Sequence, residues 1–387
     1  MSSLASSQGS VGRSLAGLET PCLVLENRRL VRNVSRLKTH LEPFAVSLRP
    51  HLKTAKSAEV ARLVSGGLAG SLTVSTLREA EHFLDHGFSD LLYAVGIAPN
   101  KLEHVFDLRR RGAELSIILD NIEMAGLVAA RCAERRDSLP VLIEIDTDGH
   151  RSGIKPQDPV LVEVGRTLHE GGAVLGGVIA HAGSSYGLKG AAAFAEKAEQ
   201  ERSGAVAAAE ALRGAGLPCP EVSVGSTPTA HFARDLTGVT EVRAGVFMFF
   251  DLVMAGIGAC SLDDIAISVL ASVVGHQRDK GWILIDAGWM AMSRDRGTAR
   301  LSVDQGYGVV CDLGCNPIPD LIVIDANQEH GIVAHRSGAG PLPDLPIGAM
   351  VRILPNHACA TAAQHDRYHV INDGSTVSAI WPRISGW

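Results

Sequence analysis

The sequence predicts an α/β fold: a (β/α)8 barrel followed by a mostly β second domain. Three observations predict it. Between residues 45 and 249, eight short apolar runs alternate with helical patterns. The 41 glycines and only 4% aromatic residues suit tight strand-to-helix turns better than an aromatic-rich sandwich. After Asp251 the texture becomes β-rich, with short apolar runs set between Gly, Asp, Asn and Pro.

The elements follow in order. Residues 1–19 are rich in Ser and Gly and lack an apolar segment, which predicts a flexible tail rather than a secretory signal. Residues 20–26, TPCLVLE, predict a strand that could join either domain. Barrel strands are predicted over 45–50, 71–75, 90–96, 115–120, 140–146, 174–181, 221–226 and 241–249. Between them Leu, Val and Ala recur at three- and four-residue steps, and Gly often closes the run, which predicts helices. An open doubly wound sheet is the alternative, but it seldom needs eight regular units. The expected division is a cofactor-binding barrel over 20–255 and a β domain over 256–387.

Composition narrows the function. Hydrophobic residues at 46% and charged residues at 20% allow a sizeable core. A net charge of −6 argues against a general nucleic-acid binder. No run of 18 apolar residues offers a membrane span. Seven scattered cysteines without a CxxC pair suggest a reduced, cytoplasmic protein.

Barrel chemistry sits at the C-terminal ends of the strands. The first strand leads into RPHLKTAK, where Lys53 follows Arg49 and His51. A lysine beside other cations in a partly buried strand mouth can form a Schiff base. The fifth strand leads into EIDTDGHRSG with Arg151, and the sixth into HAGSSYG. There His181 could stack on or hydrogen-bond a flat cofactor, and Tyr186 could donate to it. The seventh leads into GSTPT, whose Gly225, Ser226 and Thr227 precede a helical run, and Gly245 follows the eighth. Backbone N–H groups and hydroxyls at a helix start make a phosphate site. A Schiff-base lysine and a phosphate cradle are the two things pyridoxal phosphate needs. In the β domain, PNHACAT carries His357 and Cys359. On a strand, residues two apart point to one side, so this pair could grip one ion, and imidazole with thiolate favours zinc. The polar stretches 286–297 and 326–331 offer Arg294 and His330 as partners for a carboxylate.

Together RPHLKT, EIDTDGHRSG, HAGSSY, VSVGSTPT, EVRAGVF, IDAGWMAMSRDRG, NQEHG and PNHACAT resemble the fold-type III pyridoxal-phosphate enzymes of the D-threonine aldolase and D-serine dehydratase group, from about Thr20 to Trp387. The resemblance implies an alanine-racemase-like barrel plus β domain, working as a homodimer. It implies that Lys53 carries the cofactor and that Arg151 faces its phenolic oxygen. Ser226 and Thr227, with backbone N–H groups near Gly225, Gly245 and Val246, would hold the phosphate, and Arg243 would lie near the pyridine nitrogen. His357 and Cys359 would bind zinc or manganese, with magnesium or cobalt as alternatives. The implied activity is dehydration of a D-β-hydroxy amino acid, such as D-serine or a 3-hydroxyaspartate, to a 2-oxo acid and ammonia; the alternative is aldol cleavage to glycine and an aldehyde. Two departures stand out. The aldolases carry His-x-Asp where this chain has His-x-Cys, as the dehydratases do. The tyrosine common after the Arg-x-Gly segment is Phe247 here, which removes one hydroxyl from the phosphate site.

Overall fold

The computed structural model describes residues 8–372 and 374–387. It divides into two units, residues 35–245 with 386–387 and residues 1–34 with 246–385. The first strand, β1 (Cys22–Glu26), belongs to the second of these.

All eight barrel strands form where the apolar runs lie: β2 (Ser47–Pro50), β3 (Leu72–Val74), β4 (Asp90–Gly96), β5 (Glu114–Leu119), β6 (Pro140–Ile145), β7 (Val174–Ala180), β8 (Glu221–Val224) and β9 (Glu241–Ala244). Each consecutive pair from β3 to β9 is parallel, and β9 pairs in parallel with β2. The ring closes through a bridge between His51 and Thr73, where Leu52 N–H donates to Thr73 O at 2.9 Å. Strands covered on both faces need continuous apolar runs rather than alternation. Accordingly Leu92, Ile118, Leu142 and Ile179, from four successive strands, form one buried cluster. The last predicted strand is shorter than its 241–249 run, since Gly245 ends it and Val246–Met248 form a single 3-10 turn. Helix starts follow side-chain capping. Thr76 Oγ1 accepts from Glu79 N–H at 3.0 Å, and Asn121 Oδ1 from Met124 N–H at 2.8 Å.

In the other unit β1 joins eight later strands: β10 (Ile267–Gln277), β11 (Trp282–Ile285), β12 (Gly308–Cys311), β13 (Pro317–Ala326), β14 (Gly331–His335), β15 (Met350–Pro355), β16 (Arg367–Ile371) and β17 (Val377–Pro382). The sheet order is β11-β14-β13-β12-β15-β10-β1-β16-β17, and β11 also pairs with β10, so six antiparallel strands close on themselves. Only β1 and β16 run parallel. Residues 1–7 of the expected tail lie outside the described residues. Farther along, Leu15 and Leu18 pack with Cys22, Val24, Leu270, Ile371 and Val377. That segment departs from a flexible tail because its two leucines fill the β core. All seven cysteines are free thiols. Among the described residues, no helix is long and apolar enough to cross a membrane.

Candidate functional site

Strand β2 runs directly into the turn that carries Lys53. Lys56 N–H donates to Leu52 O at 2.7 Å, and Leu52, Thr54 and Ala55 are buried, so the turn is anchored on both sides of Lys53. Two further contacts pin it to the next strand and helix. His51 Nε2 pairs with Ser75 Oγ at 2.9 Å, and Lys56 Nζ meets the buried Glu79 carboxylate at 3.2 Å. Lys53 itself is exposed, not half-buried as its sequence neighbours suggested, because the turn buries its apolar flanks and projects the amine outward.

The loops after β7 and β8 meet beside it. His181 Nδ1 lies 2.9 Å from Gly225 O. A carbonyl only accepts, so Nδ1 carries the proton and Nε2 keeps its lone pair. Burial, opposed by that bond and reinforced by Arg243, Lys53 and Arg151, lowers His181 to about 4. Burial also takes His51 well below its ordinary 6.5, helped by Lys53, Arg243, His181 and Arg151. Both imidazoles are therefore neutral near pH 7. The Tyr186 ring centre is 6.2 Å from that of His181.

Ser226 caps the helix Thr227–Phe232 reciprocally with Thr229 and pairs with Ser185 Oγ at 2.8 Å. Gly225 has φ +138°, and a Cβ there would lie 2.1 Å from Arg243 O. Gly245 is tight in another way: its Cβ would stand 3.2 Å from His51 O. These two positions let β2, β8 and β9 end side by side. One expectation is corrected. Gly225 N–H donates to Glu201 Oε1 at 3.1 Å and Ser226 N–H to Thr229 Oγ1 at 2.9 Å. These two amides serve the loop's own scaffold, and the hydroxyls of Ser226 and Thr227 stand at the same helix start.

Arg243 is buried across the barrel interior. Its Nε donates to Ser223 Oγ at 2.8 Å, and an Nη donates to Ala180 O. Burial lowers its pKa against the pull of Glu241, Glu201, Glu144 and Glu221. Arg151 is exposed and meets Glu144 Oε1 at 3.3 Å. Lys53, Arg151 and Arg243, from different strand ends, thus each act electrostatically on His51 and His181, while Val246 begins the turn after β9. One amine, paired hydroxyls, a buried guanidinium, two neutral imidazoles and a glycine, Gly225, that no Cβ could replace form a set that fits pyridoxal phosphate.

In the β unit, His357 and Cys359 come together, but not on a strand as expected. Strand β15 stops at Pro355, His357 is the N-cap of the helix Ala358–Ala362, and Cys359 lies in its first turn. Cys359 hydrogen-bonds His357, and Asp295 Oδ2 accepts from His357 Nδ1 at 2.6 Å. Burial would lower this imidazole, but Asp295, Cys359 and Asp251 push it up to about 11. Buried Asp251 accepts from Ala358 N–H at 2.9 Å and from Met254 N–H at 2.9 Å, fixing the turn. Imidazole, thiol and a carboxylate behind the imidazole fit a divalent ion chemically. Among the described residues no group of three or more His, Cys, Asp or Glu is arranged to hold a metal. Stretches 286–297 and 326–331 do meet, since Trp289 N–H donates to Asn327 O at 2.9 Å. Arg294 lies over the Trp289 ring at 5.2 Å, and Arg294 and His330 are exposed.

Sequence reading missed Glu201, Asp251 and Asp295. Glu201 carried a usable signal. In helix Ala191–Gly214 it shares the buried stripe of Phe194, Ala198, Ala205, Ala208 and Leu212, where a carboxylate needs a reason to be.

Residues 26–253 match the family described as "Alanine racemase, N-terminal domain", and residues 266–371 match "Putative serine dehydratase domain". The chain is 53% identical over 97% of its length, and 99% of the relative's, to D-threo-3-hydroxyaspartate dehydratase from Delftia sp. (strain HT23). The solved structure of that dehydratase superposes with a TM-score of 0.95, covering 97% of this chain and 100% of the other; a mutant of the same enzyme is known in a metal-free form. D-serine dehydratase from Dictyostelium discoideum is 29% identical, over 93% of this chain and 95% of the relative. D-threonine aldolase from Arthrobacter sp. is 28% identical, over 96% and 93%.

Proposed function

The chain belongs to the family that joins an alanine racemase N-terminal domain to a serine dehydratase domain, and from that membership we propose that it is a pyridoxal-phosphate- and divalent-metal-dependent dehydratase of D-β-hydroxy amino acids, releasing ammonia and a 2-oxo acid. The observation that carries this reading is the 53% identity over 97% of the chain to a D-threo-3-hydroxyaspartate dehydratase. D-serine dehydratase and D-threonine aldolase stand about equally far away, at 29% and 28%, so the near relative sets the reaction type. D-threo-3-hydroxyaspartate and D-serine are the proposed substrates.

Bound pyridoxal phosphate would supply an electron sink for the charge left at Cα. Lys53 would hold its aldehyde carbon, and the hydroxyls of Ser226 and Thr227, with the amides at Gly245 and Val246, its phosphate. Arg151 would face its phenolic oxygen, Arg243 its ring nitrogen, and His181 and Tyr186 would line its ring. Once the substrate's amine has taken its place on that carbon, the freed Lys53 Nζ would take the proton from the substrate's Cα.

A divalent ion on His357 and Cys359 would polarise the β-hydroxyl as it leaves. Asp295 occupies His357 Nδ1, which leaves Nε2 to face the ion and fixes the ring's orientation. Thiolate with imidazole favours zinc over manganese, magnesium or cobalt. The barrel unit is thus proposed as the cofactor domain and the β unit as the metal domain. A homodimer is the proposed assembly, to be read by light scattering. The free thiols agree with action in the cytoplasm.

The deciding experiment measures ammonia, 2-oxo acid and metal content with D-serine, D-threonine and the D-3-hydroxyaspartate epimers, before and after chelation. Ammonia release that falls on chelation and returns with zinc is the expected result. Glycine plus an aldehyde would replace this reading with aldol cleavage, and full activity without metal would remove His357 and Cys359 from the reaction.

A further inference from the structure

Glu201 is a buried titratable group that the proposed reaction does not use. It is 1% exposed, yet its carboxylate is fully engaged. Oε1 accepts from Ala182 N–H at 2.7 Å and from Gly225 N–H at 3.1 Å. Oε2 accepts from Thr229 Oγ1–H at 2.7 Å. One carboxylate on helix Ala191–Gly214 therefore ties together the loop after β7, which carries His181, and the loop after β8, which carries Ser226 and Thr227.

The arrangement also gives the hydroxyls a direction. An ionised carboxylate accepts and cannot donate. Thr229 must therefore spend its single proton on Glu201, so its oxygen is left to accept from Ser226 N–H at 2.9 Å and from Ser226 Oγ–H at 3.0 Å. The chain from Glu201 through Thr229 thus turns the Ser226 hydroxyl toward Thr229 and pins that side chain and its amide at the helix start. A loop whose amides and hydroxyl are already oriented has little left to order when an anion arrives.

We infer that Glu201 is a positioning residue for the phosphate cradle, holding the loop of Gly225, Ser226 and Thr227 in the geometry that accepts the cofactor's phosphate. This rests on the cofactor reading above. It predicts a loss specific to the phosphate. Glu201→Ala strands two buried backbone N–H groups and frees the Thr229 hydroxyl. Glu201→Gln can still accept both amides on its oxygen, while its NH2 donates to Thr229 Oγ1, which keeps the scaffold and reverses one hydroxyl.

The test titrates full-length apoprotein with pyridoxal phosphate and with pyridoxal, which lacks the phosphate, following the near-visible absorption. In Glu201→Ala the Kd for pyridoxal phosphate should rise about tenfold or more, while that for pyridoxal stays unchanged, as expected for orphaned buried donors. Glu201→Gln should stay within about threefold of wild type, since only one hydroxyl bond is turned around. A Glu201→Ala protein that prefers pyridoxal phosphate over pyridoxal as strongly as wild type overturns the assignment. Equal losses for both ligands also overturn it, because they mark a general structural role. Should Glu201→Ala fail to fold, Thr229→Val must show the same phosphate-specific loss or the assignment falls. A wild type that binds no pyridoxal phosphate fails earlier, at the cofactor reading itself.

Discussion

Replacing Glu221 by glutamine should make the barrel more stable at pH 8 and leave it unchanged at pH 5. Glu221 opens β8 and Glu241 opens β9, at the N-terminal face of the barrel, where side chains serve stability rather than chemistry. Glu241 is saturated: Arg49 Nε donates to it at 2.6 Å and Ser223 Oγ at 2.7 Å. Glu221 shares a hydrogen bond with Glu241, which favours its protonated form, and its Oε1 is buried without a hydrogen-bond partner among the described residues. Burial, then the neighbouring Glu241 charge, raises Glu221 from 4.5 to about 7. Between those two values the folded state holds a proton that the unfolded chain has released, so stability falls as pH rises through the window. Each pH unit is worth ~1.4 kcal/mol for one proton, which puts the change between pH 5 and pH 8 at roughly 2–3 kcal/mol. For a unit of this size that is about 5–10 °C in Tm. Thermal unfolding of both proteins at pH 5, 6, 7 and 8 reads it directly. Curves separated by a constant amount, or converging at high rather than low pH, would refute the reasoning.

Three further outcomes follow from named contacts. Lys53→Ala should lower kcat by about 10²–10⁴ and abolish the near-visible absorption, measured by steady-state assay and spectrum. Gly225→Ala asks a side chain to adopt φ +138° with its Cβ 2.1 Å from Arg243 O, so Tm should drop and cofactor affinity should fall with it. Arg352 is 1% exposed, with Nη1 2.7 Å from Glu26 Oε1 and Nε 2.8 Å from Ser268 Oγ. Arg352→Met leaves Glu26 to Arg29 alone, 2.8 Å away, and Ser268 Oγ without its donor, and should cost about 1–3 kcal/mol in urea unfolding.

The barrel was legible because its strands are buried on both faces, so period alone marks them and turn residues bound them. The candidate site was legible where a residue stands at a strand end: Lys53, Arg151, His181, Ser226 and Arg243 each follow or sit in a predicted strand. It was illegible where function depends on a partner far along the chain. Asp295 lies 62 residues from His357, and Glu201 lies 24 from Gly225, and no local pattern ties either pair. The strand reading of His357 and Cys359 failed for a local reason. Pro355 ends β15, and the residues after it wind into a short helix with His357 as its cap. The side chains still meet, because an N-cap and the second residue after it share one end of that helix.

Burial gives the barrel two titrations of opposite sign, and this bears on how its acid stability must be read. His181, lowered from 6.5 to about 4 by burial, stays neutral in the folded state while the unfolded chain takes up a proton. Stability from this group is present above pH 6.5 and lost as pH falls toward 4. Glu221 acts the other way between 4.5 and about 7. From pH 4.5 to 6.5 the two slopes overlap and oppose, so the wild-type barrel should show a shallow pH profile there. Removing Glu221 leaves the histidine slope alone: Glu221→Gln should lose stability on acidification from pH 6.5 to 4.5, by up to roughly 2–3 kcal/mol. Adding His181→Gln to that variant should take away part of that slope, with His51 and His82 carrying the rest. A single-variant curve that stays flat would mean His181 is charged in the folded barrel, and then its Nε2 could not be the acceptor that the Gly225 contact leaves open.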